Sequence, residues 1–380
     1  MKLFDVYPLF DINLVKGEGS WVWDDKGKKY LDLYGGHAVI SIGHTHPHYV
    51  EKIASQLNRI GFYSNSVQNH LQGELADKLG VLSGCNSYAL FLCNSGAEAN
   101  ENALKLASFH NGRKKVIAFS KGFHGRTSLA VAATDNPSIV APVNADHQVT
   151  ILPLNDDHAL KQALEKRDVA AVIVEGIQGV GGVKAPTANF LRKIRALCDE
   201  TGTQMILDEV QSGYGRSGKF FAFQYSDVKP DMITMAKGMG NGFPIAGVLV
   251  GPHIEAKHGM LGTTFGGNHL ACAAGIAVLD VIKEENLLKH ATEMGAYITE
   301  ALGDVSGIKN ILGRGLMIGL ELDIPCADVR KSLLFEHGIF TGSSSNKNTI
   351  RILPALNLQK AEADLFITAI KEVLSKAFVS

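Results

Sequence analysis

From about residue 88 to residue 250 the chain alternates short apolar runs with stretches of helical periodicity, and this rhythm restricts its fold more than any other feature. The runs are Tyr88–Cys93, Val116–Phe119, Val149–Leu152, Ala171–Glu175, Gln204–Asp208, Met232–Met235 and Ile245–Val250. Helical patterns fall between several of them, as at Glu98–His110 and Asn189–Thr201. Strands this apolar belong in a sheet covered on both faces, and regular alternation with helices makes such a sheet mostly parallel. After about residue 283 the texture changes. Two short strands flank Gly313-Arg314-Gly315, a helix covers about Ala327–His337, a strand lies near Ile350–Leu353, and a final helix spans about Lys360–Ala377. That pattern implies a second, α+β unit. The first 50 residues carry hairpin-like turns, such as Asp24-Asp25-Lys26-Gly27, without the βαβ rhythm. The expected division is an N-terminal segment, 1–52, packing with a small C-terminal domain, 283–380, and a large domain, 53–282.

Composition excludes several functions. Apolar residues make up 46% and charged residues 20% of the chain, and net charge is −1, without runs of like charge. Neither nucleic acid nor an anionic membrane is the expected partner of so balanced a surface. No apolar stretch approaches the roughly 18 residues of a membrane span. The amino terminus, Met1–Pro8, lacks an apolar signal core and an arginine-rich transit character. Five scattered cysteines, without any C-x-x-C, read as reduced buried thiols in a cytoplasmic protein.

The chemistry sits where the apolar runs end. One run closes on Asp208-Glu209 and another on Ala236-Lys237-Gly238. A lysine amine and a carboxylate delivered from neighbouring strand ends suit pyridoxal phosphate (PLP). That cofactor needs an amine for a Schiff base and an acid to keep its ring nitrogen protonated. Alone, such a lysine is more often a solvated strand end. Asn94-Ser95-Gly96-Ala97-Glu98 follows another run and opens a helix, so free backbone N–H groups and a hydroxyl could hold a phosphate. An ordinary capped helix would look the same. Phe123-His124-Gly125-Arg126-Thr127 offers a ring that could stack on a planar group and a guanidinium that could clamp a carboxylate. Glu175, at a strand end before the glycine-rich loop Gly176–Gly182, is either functional or merely exposed. Two motifs mislead. Gly213-Tyr214-Gly215-Arg216-Ser217-Gly218 matches the dinucleotide spacing, but no strand ending in an acid follows about 20 residues on. His44-Thr45-His46 resembles a metal pair, but Pro47 breaks any strand there and no partner set follows, so no metal is expected.

Taken in order, these motifs make the chain resemble the class III aminotransferases, and among them the acetylornithine branch. The resemblance runs from about Gly17 to the carboxyl terminus. It includes Gly43-His44-x-His46-Pro47, Asp208–Gly218, Ala236–Pro244 and Gly262-Thr263-Thr264-Phe265-Gly266-Gly267-Asn268. It implies the type I PLP fold, a homodimer with shared active sites, and transfer of the terminal amino group of an N-acetyl- or N-succinylornithine to 2-oxoglutarate in arginine biosynthesis. Free ornithine or another ω-amine is the alternative donor. By resemblance, Lys237 carries the cofactor and moves protons, and Asp208 pairs with its ring nitrogen. Gln211 bonds its phenol oxygen, while Phe123 and Val210 sandwich the ring. Ser95, Gly96 and Ala97 hold the phosphate, joined by Thr264 of the partner subunit. Arg351 and Arg126 take the two carboxylates of 2-oxoglutarate. His37 and Tyr63-Ser64-Asn65-Ser66 are candidates for the acyl pocket.

The chain departs from the family pattern in one loop. The usual E-P-x-Q-G-E-G-G reads Glu175-Gly176-Ile177-Gln178-Gly179-Val180-Gly181-Gly182. The missing glutamate is the one that, in the family, neutralises the arginine matched by Arg351 while the amine donor is bound. Val180 in its place is expected to tolerate a donor with an extra carboxylate.

Overall fold

The computed structural model describes residues 1–377. The chain opens with an antiparallel meander of β1 (Leu14–Glu18), β2 (Trp21–Asp24) and β3 (Lys29–Asp32). The seven runs then form one sheet from β4 (Ala89–Cys93), β5 (Lys115–Phe119), β6 (Val149–Leu152), β7 (Val169–Glu175), β8 (Gln204–Asp208), β9 (Met232–Met235) and β10 (Ala246–Val250). Their order is β4-β10-β9-β8-β7-β5-β6. Every pairing from β9 through β8, β7 and β5 to β6 is parallel. Only β10 runs against both its neighbours. Just residues 236–245 join β9 to β10, fewer than the dozen or more that a parallel crossover needs. All seven residues of β7 are buried, as a strand covered by helices on both faces must be.

Three further strands, β11 (Ile308–Arg314), β12 (Met317–Leu322) and β14 (Thr349–Ile352), make a separate antiparallel sheet. Helices Cys326–Phe335 and Lys360–Ala377 accompany it. A two-residue strand between them, β13 (Ile339–Phe340), was not anticipated. It pairs parallel with β3 and so extends the amino-terminal meander. The Trp21 indole N–H donates to Glu362 at 2.7 Å, and the Leu353 N–H to the Leu33 carbonyl at 2.7 Å. The first 50 residues therefore lie against the carboxyl-terminal elements. They also reach the large sheet, because the Ser41 and Ile42 N–H groups donate to the Asn241 side-chain oxygen.

The two misleading motifs have structural explanations. His44, His46 and His48 turn to three separate carboxylates, Asp32, Glu285 and Asp280. The loop Gly213–Gly218 wraps Arg216, which is 2% exposed. Its guanidinium donates to the backbone carbonyls of Leu316, Pro354 and Ile40. Burial pushes its pKa down to about 9, and Asp32 partly offsets this. The glycines allow backbone from three regions to close around one cation.

Candidate active site

In a parallel sheet the strands' carboxyl ends share one edge, and a crevice opens where the strand order reverses. Here segments leave that edge after β4, β5, β7, β8 and β9. They line one cavity of about 390 Å³, which includes Ser95, Gly96, Ala97, Phe123, Arg126, Glu175, Val180, Asp208, Val210, Gln211 and Lys237. Residues as far apart in sequence as Val39 and Ile245 thus meet because strand order and chain order differ.

Asp208 is the best-anchored group. It is 3% exposed. One carboxylate oxygen accepts from His124 Nδ1 and from Asn100 Nδ2, both at 2.8 Å, and the other from the Val210 N–H at 3.0 Å. Burial alone would push the His124 pKa down, but the hydrogen bond and charge of Asp208, aided by Glu175, carry it above the usual imidazole value. Asn100 is itself fixed, accepting from Thr234 Oγ1 at 2.7 Å.

Lys237 leaves β9 with φ +46, a left-handed conformation that a lysine rarely adopts and that is typical of functional sites. Burial holds its pKa below the usual lysine range, Arg351 adds to that, and Asp208 and Glu175 oppose it. Burial thus favours the neutral, basic form of the amine relative to a solvated lysine.

Ser95 caps the helix Gly96–Asn111, its hydroxyl accepting from the Glu98 N–H at 3.2 Å. A Cβ on Gly96 would lie 2.7 Å from Val210, and one on Gly125 would lie 2.8 Å from Ala97. Bare backbone here lets the helix terminus, the Phe123 loop and Val210 converge on one space. Glu175 is 6% exposed, so the reading of it as merely exposed is corrected. It accepts from the N–H groups of Phe123 at 2.9 Å and Gly179 at 3.0 Å, fixing two cavity loops. Burial pushes its pKa up to about 7 against the opposing charge of His124.

Arg351, from β14, is 3% exposed and donates to the Gln211 side-chain oxygen at 3.3 Å. The Gln211 amide donates to the His37 carbonyl at 2.9 Å. Arg126 lines the cavity and is exposed. The remaining expected residues lie elsewhere. Thr264 is exposed and outside this cavity. Tyr63, Ser64, Asn65 and Ser66 also lie outside it, and Asn65 lines a separate hollow of about 660 Å³ with Thr263. Sequence reasoning quoted His124 and Asn100 within motifs without giving them roles. Their signal was a buried polar side chain beside each motif's anchor, which appears only when strands meet.

The residues present fit a phosphorylated aromatic aldehyde. The cavity has an amine at one end, a pinned carboxylate at its floor, apolar walls from Phe123 and Val210, and a helix amino terminus with unshared N–H groups. Comparison with known proteins agrees. A model of the family "Aminotransferase class-III" matches residues 5–374. The acetylornithine aminotransferase of Nitrosomonas europaea is 39% identical over 98% of this chain and 97% of its own length. The acetylornithine aminotransferase structure from Elizabethkingia anophelis has a TM-score of 0.85 and 31% identity, covering 97% of this chain and 95% of that one. An ornithine aminotransferase structure from Toxoplasma gondii, described with partial occupancy of PLP at its active site, has a TM-score of 0.88 and 31% identity over 96% of this chain and 90% of that one. The chain belongs to the class III aminotransferases.

Proposed function

We propose that this chain is a PLP-dependent transaminase. It moves the terminal amino group of an N-acylornithine, acetyl or succinyl, to 2-oxoglutarate, giving the N-acyl glutamate semialdehyde and glutamate, in cytoplasmic arginine biosynthesis. The observation that carries this reading is the convergence of Lys237 and the doubly supported Asp208 on one cavity. Similarity to curated acetylornithine aminotransferases along almost the whole chain supports the donor class.

When bound, PLP supplies an electron sink and carries the amino group between the two substrates. This chain's residues do the rest. Asp208, anchored by Asn100 and His124, would pair with the cofactor's ring nitrogen. Lys237 would hold the cofactor through its amine and, once the donor amine displaces it, would be the base placed to move protons at the carbon bearing the departing amine. Phe123 and Val210 would hold the cofactor's ring, Gln211 would bond its oxygen, and Ser95, Gly96 and Ala97 would hold its phosphate. Arg126 and Arg351 orient the acceptor through its two carboxylates, which places the reacting carbon near Lys237. Thr264 completes the phosphate site of a partner subunit in a homodimer. Residues 53–282 form the cofactor-binding domain, and the small domain begins at residue 283.

The likeness to ornithine aminotransferases favours free ornithine as the second reading. Glutamate formation from 2-oxoglutarate decides between them. N-acylornithine is expected to exceed ornithine in kcat/KM by at least about 100-fold, as a site built around a polar group discriminates against its absence. The reverse order would install ornithine as the donor.

A further inference from the structure

The loop Glu175–Gly182 runs into a strained residue. Val183 has φ +61 and is 1% exposed. Left-handed backbone in a buried β-branched residue is a genuine outlier, and it persists only where the surroundings over-determine it. The Gln178 N–H donates to the Lys184 carbonyl at 2.8 Å and closes a short hairpin around Val183. The Gln178 amide donates to the Ser120 carbonyl at 2.9 Å, and the Gly179 N–H to Glu175. Ser120 follows β5 and Glu175 ends β7, so the base of the hairpin is tied to the large sheet. Its tip is tied elsewhere. The Ser345 N–H, from the segment that leads into β14, donates to the Val180 carbonyl at 2.8 Å.

The Val183 side chain rests against the small antiparallel sheet, where two glycines leave a notch. A Cβ on Gly313 would lie 2.7 Å from Val183 Cγ1, and one on Gly319 would lie 2.9 Å from its Cβ and 3.1 Å from its Cγ2. Gly319, on β12, is the register partner of Arg351 on β14. Cross-strand partners present their side chains on one face, so the open space at Gly319 and the Arg351 side chain share a face of that sheet. Val183 also joins Ile177 and Ala222 to Met317 and Leu353 in one apolar cluster. Glycine would adopt this left-handed backbone without strain but would leave the notch empty. The side chain of Val183, rather than the turn it sits in, is thus what connects the two sheets.

Resting on the transaminase reading, we propose that Val183 is a positioning residue for the acceptor half of the cycle. Seated in the Gly313–Gly319 notch, it sets the span between β14, which carries Arg351, and the strand ends that carry Asp208 and Lys237. It does not line the cavity itself, so it acts through the placement of Arg351. Asp208 ends β8 and Lys237 follows β9, both in the large sheet. Cofactor binding and removal of the donor's amine at those residues are therefore independent of the span, whereas an acceptor carboxylate held by Arg351 depends on it.

Three variants of the holoenzyme test this. Val183→Gly empties the notch, and Gly319→Ala pushes Val183 out of it. In the double variant the new Cβ takes the space that Val183 vacates, leaving the Gly182 carbonyl at 3.2 Å. Each single variant is expected to raise the KM for 2-oxoglutarate about tenfold, the scale of a small misplacement of a substrate-orienting group. The PLP affinity of the apoprotein, and the rate at which acylornithine bleaches the cofactor band without keto acid, should stay within about twofold of the parent. In the double variant the KM should return most of the way to the parent value. An unchanged KM in both single variants, effects that add in the double variant, or a loss of PLP affinity that matches the rise in KM would overturn the positioning role. A parent enzyme that turns over no acylornithine would instead remove the donor assignment, and the same comparison with the amine it does accept would still decide the role of Val183.

Discussion

At the residue scale, the site depends on buried charges whose pKa values are displaced in compatible directions. Lys237 is lowered towards neutrality and His124 is raised to support Asp208. Beside them, Glu209 is 1% exposed and holds the turn after β8 by accepting from Ser212 and from the N–H groups of Ala222 and Phe223. Burial pushes its pKa up to about 7 from 4.5. Between those values the unfolded chain binds fewer protons than the folded one, so this group's contribution to stability falls as pH rises from about 4.5 to 7. Glu209→Gln removes that titration. The difference in thermal midpoint between parent and variant should therefore shrink from pH 5 to pH 7, as read by scanning calorimetry of the apoprotein. A constant difference would mean that Glu209 titrates normally. The glutamate was visible in the sequence as one of two acids at a strand end. Which acid faces the cavity came only from the family resemblance, which named Asp208; the local pattern does not say, because that depends on the side of β8 from which each side chain leaves.

At the scale of elements, legibility followed periodicity. All seven runs became strands with ends displaced by at most two residues, and Lys360–Ala377 is a helix over its expected span. Continuous apolar stretches bounded by glycine and polar turns carry that information locally. The reversed direction of β10 and the pairing of β13 with β3 depend on connection length and on distant partners, which local pattern does not encode. Arg216 shows the same limit. Its glycine-rich surroundings matched a nucleotide motif, yet the residue joins three backbone regions as a buried clamp. Arg216→Met should cost about 3 kcal/mol or more by leaving buried carbonyls without donors. A urea midpoint unchanged from the parent would show that water or neighbouring groups replace the guanidinium.

At the scale of the whole molecule, the cavity draws on segments from residue 39 to residue 245, with Arg351 behind it. Thr264 is exposed and does not line the cavity of its own chain. If it serves the partner's site, a hybrid of a Lys237→Ala chain and a Thr264→Ala chain contains one site with both residues intact. Mixing the two unfolded variants and refolding them together should restore activity well above the sum of the separately refolded variants. Strict additivity would place Thr264 in its own chain's site or in none.

The most direct test of the account is a single half-reaction. Purified holoenzyme is mixed with an N-acylornithine in the absence of any keto acid, and the cofactor's long-wavelength absorption is followed together with the aldehyde released. The account predicts loss of that band with one aldehyde formed per active site, restoration of the band on adding 2-oxoglutarate, and neither change in Lys237→Ala. A band that acylornithines leave untouched, in an enzyme that bleaches with another amine, would contradict the assignment of the donor.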